Sequence, residues 1–245
     1  MRRLRTVTPV IPVESGTDQG LAYTVWLPAG DSPARGGVVV LHGAGSCKEN
    51  HHDFARAAIA LGLGAIVFDQ RGHGQSERPM DGRALTDVAA MATLLRDRIG
   101  SADAPLAVRG SSMGGYLAIL AAASVGAQAA VAICPASTEG LRRGLAENTL
   151  DIDADREALD ELLATHDLGR AVSELRAPLL LLHAEGDERV PIEHSRELAV
   201  RMRAPGSRLI AIPGGHHRSI QHDEELQAVS LRFILQALDA GDCAG

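Results

Sequence analysis

The sequence predicts an α/β fold, a mostly parallel, doubly wound β-sheet with helices on both faces, and three observations predict it. Short, largely apolar runs recur at 37–41 (GVVVL), 65–69 (AIVFD), 106–108 (LAV), 129–134 (AAVAIC), 179–183 (LLLLH) and 208–212 (RLIAI). Runs this short suit strands buried on both faces rather than helices. Stretches with helical spacing lie between them, and strands alternating with helices imply parallel pairing. Most of the runs are followed by a polar or glycine-rich loop.

The elements follow in order. Residues 6–13 and 21–27 are rich in β-formers, and the turn-rich 14–20 between them predicts a β-hairpin opening the sheet. Residues 28–36 (PAGDSPARG) read as a loop. The strand at 37–41 runs into His42-Gly43-Ala44-Gly45, which either frees backbone N–H groups for a ligand or is a plain tight turn. Ser46-Cys47-Lys48-Glu49 has capping-box spacing and opens a helix expected to reach Leu61, with Phe54, Ala57, Ala58 and Leu61 inward. His51 and His52 do not share a helix face, so they read as exposed or supporting residues and not as a metal pair. After the strand at 65–69, Asp69 and His73 of DQRGHGQS read as loop anchors. An amphipathic helix follows at 85–99, with Val88, Met91, Leu94, Leu95 and Ile99 at helical spacing.

Residues 105–126 (PLAVRGSSMGGYLAILAAASVG) organise the rest. The strand at 106–108 turns through Gly110-Ser111-Ser112-Met113-Gly114-Gly115 into a helix over 116–123, with Gly126 as its C-cap. Strand, glycine-bracketed serine and helix are the context in which G-x-S-x-G signals a nucleophile. After the strand at 129–134, residues 138–177 are either an inserted lid or a plain helical crossover, with helices at 154–164 and 168–175. The acidic run Asp151, Asp153, Asp155, Glu157, Asp160 and Glu161 reads as a solvated helix face. A helix at 192–203, the strand at 208–212, a helix at 223–238 and a frayed tail at 239–245 complete one expected domain, 1–245.

Composition narrows the function. Hydrophobic residues make up 45% of 245, with mean hydropathy near zero, and no apolar run approaches a membrane span. The opening MRRLRTVTPVIPVES lacks the apolar core of a secretory leader. The net charge of −7 and 2% aromatic content argue against a nucleic-acid surface. Cys47, Cys134 and Cys243 form neither a disulfide framework nor a zinc pattern, so reduced thiols in a cytoplasmic protein are expected.

At the strand C-terminal edge of a parallel sheet this topology gathers His42-Gly43-Ala44-Gly45, Asp69, Ser112, Asp187 and His216-His217. A serine hydroxyl attacks at neutral pH only when a histidine takes its proton, a carboxylate orients that histidine, and two N–H groups await the oxyanion. HGAG at 42–45, DQRGHGQS at 69–76, GSSMGG at 110–115, EGDERVP at 185–191 and PGGHH at 213–217 together resemble an α/β-hydrolase-fold protein over nearly the whole chain. The resemblance implies Ser112 as nucleophile, the Met113 and Ala44 N–H groups as oxyanion hole, and Asp187 as acid, with Glu185 and Glu188 its near neighbours. It implies His217 as base from the spacing after Pro213, with His216 the alternative. It also implies a structural role for Asp69.

The expected activity is serine hydrolysis of an ester, thioester or amide through an acyl-enzyme, on small-to-medium acyl substrates, with no metal or organic cofactor. Acyl transfer and cofactor-free perhydrolysis use the same triad. A non-catalytic small-ligand receptor on the same fold is the reading from another class.

Overall fold

The computed structural model describes residues 10–30 and 33–242, with side chains through Ala240. Its strands are β1 (Glu14–Asp18), β2 (Leu21–Trp26), β3 (Gly37–Leu41), β4 (Gly64–Phe68), β5 (Leu106–Ser111), β6 (Ala127–Ile133), β7 (Leu179–Ala184) and β8 (Arg208–Ile212). They form one sheet in the order β1-β2-β4-β3-β5-β6-β7-β8. β1 and β2 run antiparallel; every pairing from β4 to β8 is parallel. The predicted fold class therefore stands.

Strand residues alternate between two cores. Val39, Leu41, Ile66 and Val108 face α2 (Ala84–Ile99) and α3 (Met113–Ala121). Val38, Val40, Val67 and Leu182 face α1 (His52–Ala60) and α8 (Glu224–Asp242). Each buried Val or Leu contributes roughly 1.5–3 kcal/mol by leaving water. The period-2 pattern was invisible in the sequence because both faces are apolar.

The hairpin forms with a different register. β1 lies within the stretch read as a turn, and the turn is only Gln19 and Gly20, with φ of 50° and 80°. Two positive φ values are what a two-residue hairpin loop requires. β1 is a polar edge strand, which hides it from a hydrophobicity pattern; residues 6–9 of the expected strand lie outside the described residues.

No capping box forms at Ser46, whose Oγ accepts from Asn50 Nδ2. Residues Lys48–His51 make a 3₁₀ turn, and the Lys48 N–H is satisfied by Asp69 Oδ1 at 2.7 Å. His51 is completely buried, which leaves only the supporting role of the two expected for it, and Leu61 is exposed, against expectation. α3 starts at Met113, directly after Ser112, and ends at Ala121; Gly126 closes a later turn through its bond to the Ala123 carbonyl. α8 continues through Asp242, across part of the expected tail.

Between β6 and β7 lie α4 (Thr138–Glu147), α5 (Arg156–Thr165) and α6 (Leu168–Glu174). α4 escaped the sequence reading because TEGLRRGLAE is polar with two glycines; its amphipathic face buries only Leu141, Gly144 and Leu145. Asp151, Asp153 and Asp155 precede α5, and Asp155 caps it by accepting from the Ala158 N–H. The α4–α5 connector is tied to the β4–α2 loop by backbone bonds Met80 N to Asp153 O and Asp155 N to Met80 O.

Candidate active site

The turn after β5 sets the position of everything else. Ser112 has φ +54° and ψ −120°, a region that costs a non-glycine residue about 1–3 kcal/mol. Neighbouring backbone holds it there: its N–H donates to the Ile133 carbonyl at 2.9 Å, and its carbonyl accepts from Tyr116 and Ala136. Glycines make the close approach possible. A Cβ on Gly110 would sit 2.0 Å from the Gly114 carbonyl oxygen, and one on Gly114 would sit 2.4 Å from that of His42. Strand and helix can therefore meet at an angle that leaves the serine hydroxyl at the mouth of a cavity of about 600 Å³.

The β3 loop closes one side. His42 is fully buried and neutral, because burial and the adjacent His73 push its imidazole down to about 4. Its Nδ1–H donates to the Gly43 carbonyl at 2.8 Å, and its Nε2 accepts from the Gln70 N–H at 3.0 Å. One neutral tautomer satisfies both bonds and sets the loop. The Ala44 and Met113 N–H groups have no acceptor among the described residues, and Gly43, Ala44 and Ser112 line the same cavity.

Asp69 does not line this cavity. Its carboxylate accepts from the Lys48 N–H, the Lys48 ammonium at 2.8 Å and the Gln75 N–H at 2.9 Å. Lys48, the only lysine in the sequence, is buried with it. The pair fastens the loop after β3 to the loop after β4. His73 belongs to that scaffold through its bond to the Arg71 carbonyl and its edge-on contact with His42.

Asp187 and His217 meet on the far side. Asp187 Oδ2 accepts from His217 Nδ1 at 2.7 Å, while Oδ1 accepts from the Arg189 and Val190 N–H groups at 2.8 and 2.9 Å. Its side chain is fully buried, which by itself would raise the carboxyl. The His183 ring close beside it and hydrogen bonds from His217, Val190 and Arg189 outweigh that and hold it well below the usual carboxylate range. A carboxylate at Nδ1 favours the neutral tautomer that carries its proton there, the one whose Nε2 can accept a proton. Ser112 Oγ has no hydrogen-bond partner among the described residues, though it and His217 line one cavity; such a contact commonly tightens only when substrate binds.

Of the two candidate histidines, His217 is buried on Asp187 and His216 is exposed. Glu188 reaches the same loop differently, accepting from the His217 N–H at 3.1 Å. Three further residues support the pair. His183, at the end of β7, donates through Nε2 to the Val190 carbonyl, lies 3.4 Å from Asp187 Oδ2, and accepts through Nδ1 from Ser195. The Cys134 thiol lies beside Asp187, and burial pushes it up. Arg109, wholly buried over Phe54, donates to the Gln221 carbonyl at 2.9 Å and so ties the β8–α8 loop to β5. The polar residues ending otherwise apolar strands, His183 and Arg109, were the signal that could have found them.

Residues 32–149 match the model of the family described as serine aminopeptidase, S33. The chain is 28% identical to a monoacylglycerol lipase of Mycolicibacterium smegmatis, covering 84% of this chain and 88% of that one. It is also 28% identical to the uncharacterized protein YfhR of Escherichia coli O157:H7, covering 93% and 81%. Among solved structures it resembles Est1E of Butyrivibrio proteoclasticus, bound to ferulic acid, with TM-score 0.70 and 19% identity over 93% of this chain and 98% of that one. That likeness is one of fold.

Proposed function

We propose that this chain, a member of the α/β-hydrolase superfamily and a serine hydrolase acting on esters, is a carboxylesterase for small-to-medium acyl groups. In this reading Ser112 Oγ attacks the ester carbonyl while His217 Nε2 takes its proton. Asp187 holds the imidazole in the required tautomer and stabilises the imidazolium that forms. The Ala44 and Met113 N–H groups receive the oxyanion. His217 then protonates the leaving alcohol, and water, activated by the same imidazole, releases the acid. Residues 138–177 serve as a short lid on one domain spanning 1–245, and α4 forms one wall of the cavity. The free thiols of Cys47 and Cys134 support a cytoplasmic setting.

The observation that carries the reading is the 2.7 Å bond from His217 to a buried carboxylate, facing a cavity that also holds Ser112 on its strained turn. A fluorophosphonate probe tests it. Labelling should be complete in the native chain and absent in Ser112→Ala; labelling that survives the substitution refutes the assignment. His217→Ala should lose far more turnover than His216→Ala. A series of nitrophenyl esters tests the acyl size, and strict preference for long chains would overturn it.

A further inference from the structure

The cavity in front of Ser112 is lined by three arginines from three separate elements: Arg143 on α4, Arg189 in the β7–α7 loop and Arg218 in the β8–α8 loop. None has an ion-pair or side-chain hydrogen-bond partner among the described residues. Several surface arginines elsewhere pair with carboxylates: Arg98 with Glu14, Arg142 with Asp160, Arg170 with Glu174, and Arg196 with Glu185 and Glu193. Others, such as Arg78, Arg176 and Arg232, are exposed without such a partner but stand apart from this cavity. The contrast is sharpest between neighbours, since Arg142 points to a carboxylate on α5 while Arg143 borders the cavity. A general excess of cations does not account for the cluster, because the chain carries a net charge of −7.

Glu147, one turn beyond Arg143 on α4, is the only carboxylate lining the cavity among the described residues; Asp187 lies buried on His217. Like charges gathered without a protein counter-ion mark a place where the counter-ion arrives with the ligand. Position reinforces the point. Arg189 donates its N–H to Asp187 and Arg218 directly follows His217, so both side chains start from backbone fixed beside the reacting groups. Arg143 borders the cavity from α4. A planar guanidinium pairs with a carboxylate through two parallel hydrogen bonds, and three cations with one glutamate leave an excess of positive charge for an anionic group to neutralise.

We propose that the ester taken by this site carries a free carboxylate on its acyl or its alcohol half, and that Arg143, Arg189 and Arg218 receive it. The inference rests on the hydrolase reading above and names its substrate class.

The test compares kcat/KM within two pairs that differ in one free carboxylate: 4-nitrophenyl hemiglutarate against 4-nitrophenyl valerate, and 4-acetoxybenzoate against its methyl ester. The native enzyme should prefer the anionic member of at least one pair, and added salt should shrink that preference. Arg143→Gln, Arg189→Gln and Arg218→Gln should each lower the anionic-to-neutral ratio, by about three- to tenfold for the arginine nearest the carboxylate. An enzyme that labels at Ser112 but favours the neutral member of both pairs overturns this inference and leaves the hydrolase reading standing. A preference unmoved by all three substitutions also overturns it. An enzyme that neither labels nor turns over any of the four esters overturns both.

Discussion

Asp187→Asn isolates the part of the site that the structure defines most tightly. The native carboxylate faces donors on every side: His217 Nδ1 on Oδ2, and the Arg189 and Val190 N–H groups on Oδ1. Asparagine brings one acceptor and one donor. If its oxygen stays with the two backbone N–H groups, its NH₂ meets His217 Nδ1, and the ring must move its proton to Nε2. A ring protonated there cannot accept the serine proton. If the amide flips, its NH₂ opposes the two backbone donors and the loop loses the bonds that shape it. Either way the loss should resemble that of a triad whose histidine is in the wrong tautomer, about 10⁴-fold in kcat, or about 5.4 kcal/mol of barrier. The assay is steady-state hydrolysis of a nitrophenyl ester, with denaturant unfolding beside it. Asp187 also links folding to pH. Its carboxyl lies below the usual range when folded, so its ionised form stabilises the native state. That contribution is complete above the unfolded value of about 3.9 and fades as pH falls toward the lower folded value. The stability gap between the native chain and Asp187→Asn should therefore narrow below about pH 4. A loss of kcat under tenfold in a folded variant would refute the reasoning.

Three further outcomes follow from the scaffold. Lys48→Met strips the ammonium from the buried Asp69 carboxylate and should cost about 3–5 kcal/mol in urea unfolding; a loss under 1 kcal/mol would show the pair to be dispensable. Gly114→Ala forces a Cβ to within 2.4 Å of the His42 carbonyl oxygen, so it should lower stability by about 1–3 kcal/mol and slow fluorophosphonate labelling. Unchanged labelling would mean that the elbow tolerates the extra atom. Ser112→Gly relieves the positive φ that Ser112→Ala keeps. Strain of about 1–3 kcal/mol, less the flexibility that glycine adds to the unfolded chain, should make it the more stable of the two variants by about 1 kcal/mol. Equal melting temperatures would show that Ser112 is not strained.

The fold was legible wherever burial is two-sided. β3, β4, β6 and β7 are apolar runs because both of their faces are covered, and composition alone marks such strands. β1 and α4 were not legible, for one shared reason: each exposes most of its surface. β1 is an edge strand whose formation depends on β2, and α4 shows only a narrow apolar stripe on a helix cut by Gly140 and Gly144. Short-range pattern carries little information where solvent covers most of the element. The false capping box at Ser46 fails for a different reason. The sequence offered a local partner for the orphan N–H of Lys48, while the fold supplied a distant one, Asp69, and tertiary contact won.

The same division explains the site. The turn proposed to carry the nucleophile left a mark in the sequence because its backbone demands small residues: Gly110 and Gly114 sit at fixed offsets from Ser112, and HGAG marks the loop after β3. The choice of His217 over His216 rested only on its spacing after Pro213, not on the chemistry of the two residues. Both follow Gly215 at nearly the same point, and only the path of the β8–α8 loop carries one ring onto Asp187. Arg109 contributes to that path from the strand just before the elbow by gripping the Gln221 carbonyl. A buried arginine without a carboxylate partner is costly, and burial lowers its guanidinium to about 10. Its place between the elbow strand and the loop bearing His217 gives that cost a structural purpose. Ser112 and His217 come from segments about a hundred residues apart, and Arg109 links those segments without lining the cavity.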